Sequence, residues 1–327
     1  MTAIETMIEV KNLTKRYGNV RALDAVSFEV PRGQVLGFLG PNGAGKTTTM
    51  KILTCFIAPT SGEVRVAGLD ISEDPLGIRR RLGYLQETAP LYVDMRVREY
   101  LDFVADVRGI AVDAKDKALA RVVEVCGLGD VRDKEIRTLS KGFRQRVGLA
   151  QAMIHDPSIL ILDEPTSGLD PNQIAEIREL VKSLGRERTV ILSTHNLTEV
   201  QATAGRVIII HQGKLVADGS PEELESSRGG ARYDVVLAAP GGGVAAVKEA
   251  FGRVEGVRGV DAAESGRGGE VDVTVHGDAR EDLRAQIFKA AVDKGLVLLG
   301  LGRKQVDLES IFRRLTTADG AAGKEAH

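Results

Sequence analysis

The stretch Gly40-Pro41-Asn42-Gly43-Ala44-Gly45-Lys46-Thr47-Thr48 constrains this chain more than any other. It follows an apolar run, Val35 to Leu39, that reads as a buried strand. It leads into Met50, Lys51, Ile52 and Leu53, which continue as a helix. The pattern G-x-x-x-x-G-K-T between strand and helix is a phosphate-binding loop. Its glycines let the backbone curl so that successive N–H groups converge on an anion. A helix starting near Gly45 adds the positive end of its dipole at the same spot. Lys46 brings a full charge for β- and γ-phosphates, and Thr47 offers a hydroxyl to Mg²⁺.

A second signal lies downstream. Ser158 to Leu162 form a fully apolar strand that ends in Asp163-Glu164-Pro165. Carboxylates at the carboxyl end of a buried strand sit in the crevice where open α/β sheets bind ligands. Asp163 suits a Mg²⁺ contact, and Glu164 can orient or deprotonate an attacking water; an acidic helix-capping turn is the plainer alternative. Thr189 to Ser193 form the next buried strand, with His195 just past its end. Of the five histidines, only His195 emerges at the edge shared by Asp163 and the phosphate loop.

Three other positions are open to two readings. Tyr17 fits a base-stacking platform or a core tyrosine. Gln86, at the end of the short apolar strand Leu82 to Leu85, fits a site or an ordinary turn. Ser140 caps the helix opened by Leu139-Ser140-Lys141-Gly142-Phe143-Arg144-Gln145-Arg146, which fits an anion site or a capped surface helix equally.

Between the two strong motifs, Val97 to Val107 and Lys117 to Val125 carry helical periodicity and form an inserted helical block. Alternating strands at Met7 to Leu13 and Val26 to Val30 precede the phosphate loop. Pro221 to Leu224 begin a short helix that closes the first domain, and Ser226 to Gly230 read as a linker. Beyond it the order is β-α-β-β-α-β, a ferredoxin-like arrangement. A final amphipathic helix carries Leu308, Ile311, Phe312 and Leu315, and the small polar tail reads as disordered. No catalytic constellation occurs in this second unit.

The 327 residues carry a net charge of −2, with no basic stripe of the kind nucleic-acid binding needs. No apolar run approaches bilayer length, and no signal peptide is expected at Met1 to Met7. Any membrane link is then expected through a partner chain. Cys55 and Cys126 sit in apolar helical contexts and read as reduced, buried thiols.

Together these motifs, over about Ile8 to Leu224, resemble the nucleotide-binding subunit of an ATP-binding cassette (ABC) transporter. A closer likeness, to the ABC-2 type subfamily and its gliding-motility-associated ATPase group, rests on four stretches. These are Leu91 to Met95, Leu139 to Gly142, Ser167 to Gln173 and Asp307 to Phe312. The resemblance implies a P-loop NTPase cassette, α/β with an antiparallel β subdomain, over residues 1–228, with a helical subdomain at about 88–156. A small α+β ferredoxin-like domain at 231–315 and a disordered tail at 316–327 complete the expected layout.

It further implies ATP as substrate and Mg²⁺ as cofactor. Tyr17 would stack on adenine, Gly40 to Thr48 would cradle the phosphates, and Thr47, Gln86 and Asp163 would serve the metal. Glu164, His195, Gln86 and Lys46 would act in hydrolysis. Ser140 and Gly142 would touch the γ-phosphate held by a second copy or a homologous ATPase, with Asp170 at that interface. The remaining partner would be an ABC-2 type transmembrane permease, placing the chain in the cytoplasm on the inner face of the membrane; no nucleic acid is expected.

The chain departs from the usual L-S-G-G-Q signature at Lys141 and Phe143. The charge of Lys141 is read as aiding an anion or facing solvent. A soluble ABC protein of ribosomes would carry two cassettes, and a coiled-coil repair ATPase would carry a long heptad insertion; this sequence has one phosphate loop and a modest helical block.

Overall fold

The computed structural model describes residues 5–228, 231–238, 243–265, 270–277, 282–305 and 308–322. The chain divides into two compact units between Gly219 and Ser220.

In the first unit, β1 (Thr6–Tyr17) and β2 (Val20–Pro31) form a long bulged hairpin. Then come β3 (Val35–Leu39), α1 (Lys46–Leu53), β4 (Ser61–Val66), β5 (Leu69–Asp70), α2 (Pro75–Arg81) and β6 (Leu82–Leu85). The helical block follows as α3 (Val97–Val107), α4 (Val112–Val125) and α5 (Lys141–Met153). The unit closes with β7 (Ile159–Asp163), α6 (Pro171–Gly185), β8 (Thr189–Thr194), α7 (Leu197–Thr203), β9 (Arg206–His211) and β10 (Lys214–Gly219).

Two sheets result. The antiparallel one runs β2-β1-β4-β5, and the six-stranded one runs β10-β9-β3-β8-β7-β6, parallel except for β10. The central strands of the larger sheet carry continuous apolar runs, such as Ile159 to Leu162 of β7 and Val190 to Leu192 of β8, because each face meets a separate core. Along β7, Ile159 and Ile161 face the core shared with the antiparallel sheet, and Leu160 and Leu162 face the core shared with α3, α5 and α6. Phe28 of β2 meets Phe38 of β3 with ring centroids 5.7 Å apart, joining the two sheets.

Helix starts follow the sequence chemistry. Asp74, Ser140 and Asp170 each accept a hydrogen bond from a first-turn backbone N–H of α2, α5 and α6. Burial pushes the Cys126 thiol up to about 12, which leaves it an inert packing group. No helix among the described residues is long and apolar enough to cross a membrane.

The second unit contains α8 (Pro221–Arg228), β11 (Ala231–Ala238), α9 (Gly243–Gly252), β12 (Val257–Glu264), β13 (Glu270–Gly277), α10 (Arg284–Asp293), β14 (Leu298–Gln305) and α11 (Leu308–Ala322). Its antiparallel sheet has the order β12-β13-β11-β14, the spatial arrangement of a ferredoxin-like fold. The sequence places the close of the first domain after the helix at 221; the structure instead puts α8 in the second unit, where it packs on α11. α11 continues to Ala322, so 316–322 is helix where a disordered tail is expected, and 323–327 lie outside the described residues.

Two stability predictions follow from buried polar groups. The Tyr233 hydroxyl is fully buried and accepts a 2.8 Å hydrogen bond from the Leu283 N–H at the start of α10. Tyr233→Phe leaves that N–H without this acceptor and costs about 1–3 kcal/mol in urea denaturation. His155 sits with Nε2 3.1 Å from the Leu82 carbonyl oxygen, and burial, aided by Arg108, lowers its pKa to about 4. The unfolded chain takes up a proton near the ordinary 6.5 that the folded chain refuses until about 4. The contribution of neutral His155 to stability is therefore present above pH 6.5 and is lost as pH falls toward 4. His155→Asn flattens this part of the profile, as read from denaturation midpoints across that range.

Candidate functional site

The parallel register brings three strand ends to one edge. Leu39 pairs with Thr194, and Asp163 pairs with Ser193, so β3, β8 and β7 finish level. β6 ends opposite Leu162 of β7, which places Gln86 at the same edge. A polar cleft of about 430 Å³ opens there, lined by residues of the phosphate loop together with Glu87, Glu164, Ser167 and His195.

The loop from β3 to α1 is shaped by its glycines. Gly43 has φ 80° and Gly45 φ 111°, both left-handed. A Cβ on Gly45 would lie 2.7 Å from Leu23 Cδ2 and 2.8 Å from the Ala22 carbonyl oxygen, so the loop is held closely against β2. Pro41, Asn42, Gly43, Gly45, Lys46, Thr47 and Thr48 line the cleft. Gly40 and Ala44 support it from behind. The Gly40 carbonyl accepts from Lys46 Nζ at 2.7 Å, and the Ala44 carbonyl accepts from Gly213 N at 2.9 Å.

Lys46 and His195 converge on one carboxylate. Lys46 Nζ lies 3.2 Å from Glu164 Oε1, with both side chains more than nine-tenths buried. His195 Nδ1 lies 2.9 Å from Glu164 Oε2, and the imidazole is otherwise half exposed. Glu164 has φ 49°, a left-handed conformation for a non-glycine residue. The strain, about 1–3 kcal/mol, is met by hydrogen bonds from Glu164 N to Ser193 O at 3.1 Å and Ser193 Oγ at 3.2 Å.

Asp163 is buried one residue away. Burial raises its pKa above the ordinary aspartate value, while hydrogen bonds with the Ser193 and Thr47 hydroxyls pull it down. A carboxylate joined to a threonine hydroxyl is a pair of hard oxygen donors and fits Mg²⁺.

The other expected residues lie outside the cleft lining. Tyr17, at the end of β1, is 49% exposed with Lys15 Nζ 5.2 Å from its ring centroid; Ala22 lines the cleft on that side. Gln86 sits one residue beyond β6, and its neighbour Glu87 lines the cleft. Ser140 and Gly142 stand at the start of α5, and Asp170 caps α6 by accepting from Gln173 N at 3.0 Å. None of these three lines the cleft of its own chain.

Sequence reasoning missed Ser193, Glu87, Ser167 and Ala22. Ser193 carried one usable signal, a polar residue near the end of an apolar strand adjacent to the one bearing Asp163.

Comparison with known proteins gives the family. The ABC transporter family model matches residues 23–167. Daunorubicin resistance ATP-binding protein DrrA2 of Streptomyces coeruleorubidus is 32% identical over 324 residues, covering 98% of both chains. Probable multidrug ABC transporter ATP-binding protein YbhF of Escherichia coli K12 is 39% identical over 223 residues, which are 68% of this chain and 38% of that protein's length. A solved dimeric cassette, MJ0796 in a post-hydrolysis state with ADP and Pi, superposes with TM-score 0.60 at 25% identity, covering 65% of this chain and 98% of the other. The chain belongs to the ATP-binding subunits of the ABC transporter family.

Proposed function

We propose that this chain is the ATP-hydrolysing subunit of an ABC-2 type membrane exporter. The observation that carries the reading is the Glu164 carboxylate, held between Lys46 and His195 at the mouth of the phosphate loop. In the free chain Lys46 and Glu164 neutralise each other. An entering polyphosphate offers Lys46 a stronger partner and leaves Glu164 free to accept a proton from an attacking water. Loop N–H groups and the α1 N-terminus meet the phosphate charge, and His195 meets the γ-phosphate. Mg²⁺ would be held by Thr47 and Asp163, with Gln86 at the same edge, and would supply positive charge against the phosphates. Tyr17 offers its exposed ring to adenine.

Ser140, Gly142 and Asp170 stand away from their own cleft, which supports a head-to-tail pair with two nucleotides sandwiched between copies. The dimeric ADP-bound cassette is a solved precedent for two such chains together. The relatives' printed roles in multidrug handling and daunorubicin resistance support export.

A membrane partner has a place to dock. A groove of about 540 Å³ between α2, β6 and α3 exposes Phe56, Leu76, Tyr92, Phe103 and Val107. Tyr92 and Phe103 pack with centroids 5.4 Å apart while staying 56% and 40% exposed. Contiguous aromatic surface of this kind marks an interaction site. A cytoplasmic segment of an ABC-2 type permease fills it in this reading, with Gln86 close enough to β6 to sense that contact. The chain then works on the inner face of the membrane. The second unit, which lacks a catalytic constellation and is included in the DrrA2 alignment, serves as a regulatory or dimer-supporting domain.

Glu164→Gln binds ATP and forms the ATP-dependent dimer, with hydrolysis lowered by about 10²–10⁴-fold in a phosphate-release assay. Lys46→Ala weakens nucleotide binding itself, read with a fluorescent ATP analogue. Undiminished turnover in Glu164→Gln would contradict the assignment.

A further inference from the structure

The end of β1 that carries Tyr17 is fastened to the segment that follows α1. β1 loses regular register with β2 between Leu13 and Lys15 and again between Lys15 and Arg16, and such bulges bend a strand and re-aim its side chains. The backbone on both sides of Lys15 is held. The Arg16 N–H donates to the Thr60 hydroxyl at 3.0 Å, and the Thr60 N–H donates to the Thr14 carbonyl at 2.8 Å.

The Lys15 side chain uses the same segment. Its Nζ donates to the Ala58 carbonyl at 2.6 Å and lies over the Tyr17 ring, 5.2 Å from the ring centroid. At that distance an ammonium is attracted to the negative face of an aromatic ring. One ammonium therefore joins Tyr17 to the loop beyond α1, the helix whose N-terminus opens at the phosphate loop. Lys15 is half-buried, while Tyr17 stays half exposed. Lys15 is not among the residues lining the phosphate cleft, so its contacts are with the platform and not with the phosphate groups.

We propose that Lys15 is a positioning residue for nucleotide binding, holding the Tyr17 ring with one face covered by its ammonium and the other presented to the base. The inference rests on the reading of Tyr17 as the adenine platform and adds the group that sets it. A ring already held between Lys15 and its own strand loses less freedom when a base stacks on it than a ring left to rotate. The effect falls on the base half of the nucleotide. The phosphate half is met by the loop and Lys46, which Lys15 does not touch.

The test uses the full chain with Lys15→Met, Lys15→Arg, Tyr17→Ala and the double variant Lys15→Met/Tyr17→Ala. Equilibrium affinity is measured for ADP and for inorganic tripolyphosphate, which has no base, and KM and kcat for ATP are measured beside them. Lys15→Met keeps the stem and removes the charge. It weakens ADP about two- to fivefold and raises KM in step, the range of a cation–π contact at an exposed ring. Tripolyphosphate affinity and kcat stay unchanged, which also shows that the phosphate site is intact. Lys15→Arg recovers most of the ADP affinity. Tyr17→Ala weakens ADP about fivefold or more, as loss of a stacking ring does, and adding Lys15→Met to it costs nothing further. Unchanged ADP affinity in Lys15→Met beside a loss in Tyr17→Ala removes the role of Lys15 alone. Equal weakening of tripolyphosphate, or losses that simply add in the double variant, also overturns it. Unchanged ADP affinity in Tyr17→Ala removes the adenine platform and the proposal with it.

Discussion

The in-register parallel ladder of β3, β8 and β7 is the constraint on which the rest of the site depends. Inside the sheet, the backbone is paired with neighbouring strands and the apolar side chains of β7 alternate between two cores. At the carboxyl edge the ladder stops, and polar groups become available to a ligand. Because Asp163 stands opposite Ser193 and Leu39 opposite Thr194, Glu164, His195 and the phosphate loop all reach one cleft, with Asp163 buried one residue before Glu164. A shift of one residue along β7 would send Asp163 and Glu164 to opposite faces from those they occupy.

Within that frame the buried charges balance one another. Lys46 and Glu164 would each be costly to bury alone, and their pairing offsets part of that cost. A buried pair of this kind contributes little net stability, which suits a site whose partners must exchange when phosphate enters. The left-handed backbone at Glu164 and its hydrogen bonds to Ser193 fix the carboxylate in advance. Ser193 serves both acidic residues, since its hydroxyl also donates to Asp163.

Much of this was legible in the sequence because the key stretches are contiguous. The phosphate loop, Asp163-Glu164 and the Ser140 cap each declare themselves within a few residues, and the β-α-β-β-α-β order of the second unit was visible in its periodicity. What stayed hidden depends on pairing across the chain. Ala22 and Glu87 reach the cleft, and Ser193 reaches Asp163 and Glu164, through register and loop packing that no local pattern encodes. Helices α2 and α7 are seven residues each, too short for a period to show. The helix at 221 follows the first domain directly in sequence, and only its packing on α11 assigns it to the second unit. Lys141 was visible as a departure from the signature; its side chain is exposed, as one of the two sequence readings has it, and its approach to Gly168, 27 residues on, was not visible.

The most direct test of the account is affinity isolation of the full chain from its native membranes in ATP and Mg²⁺, beside a Phe103→Asp variant of the aromatic groove. The account predicts that the unaltered chain brings down a polytopic membrane protein and that Phe103→Asp does not. Recovery of ribosomes or nucleic acid with no membrane protein would contradict it, leaving an ATP site whose work is done elsewhere.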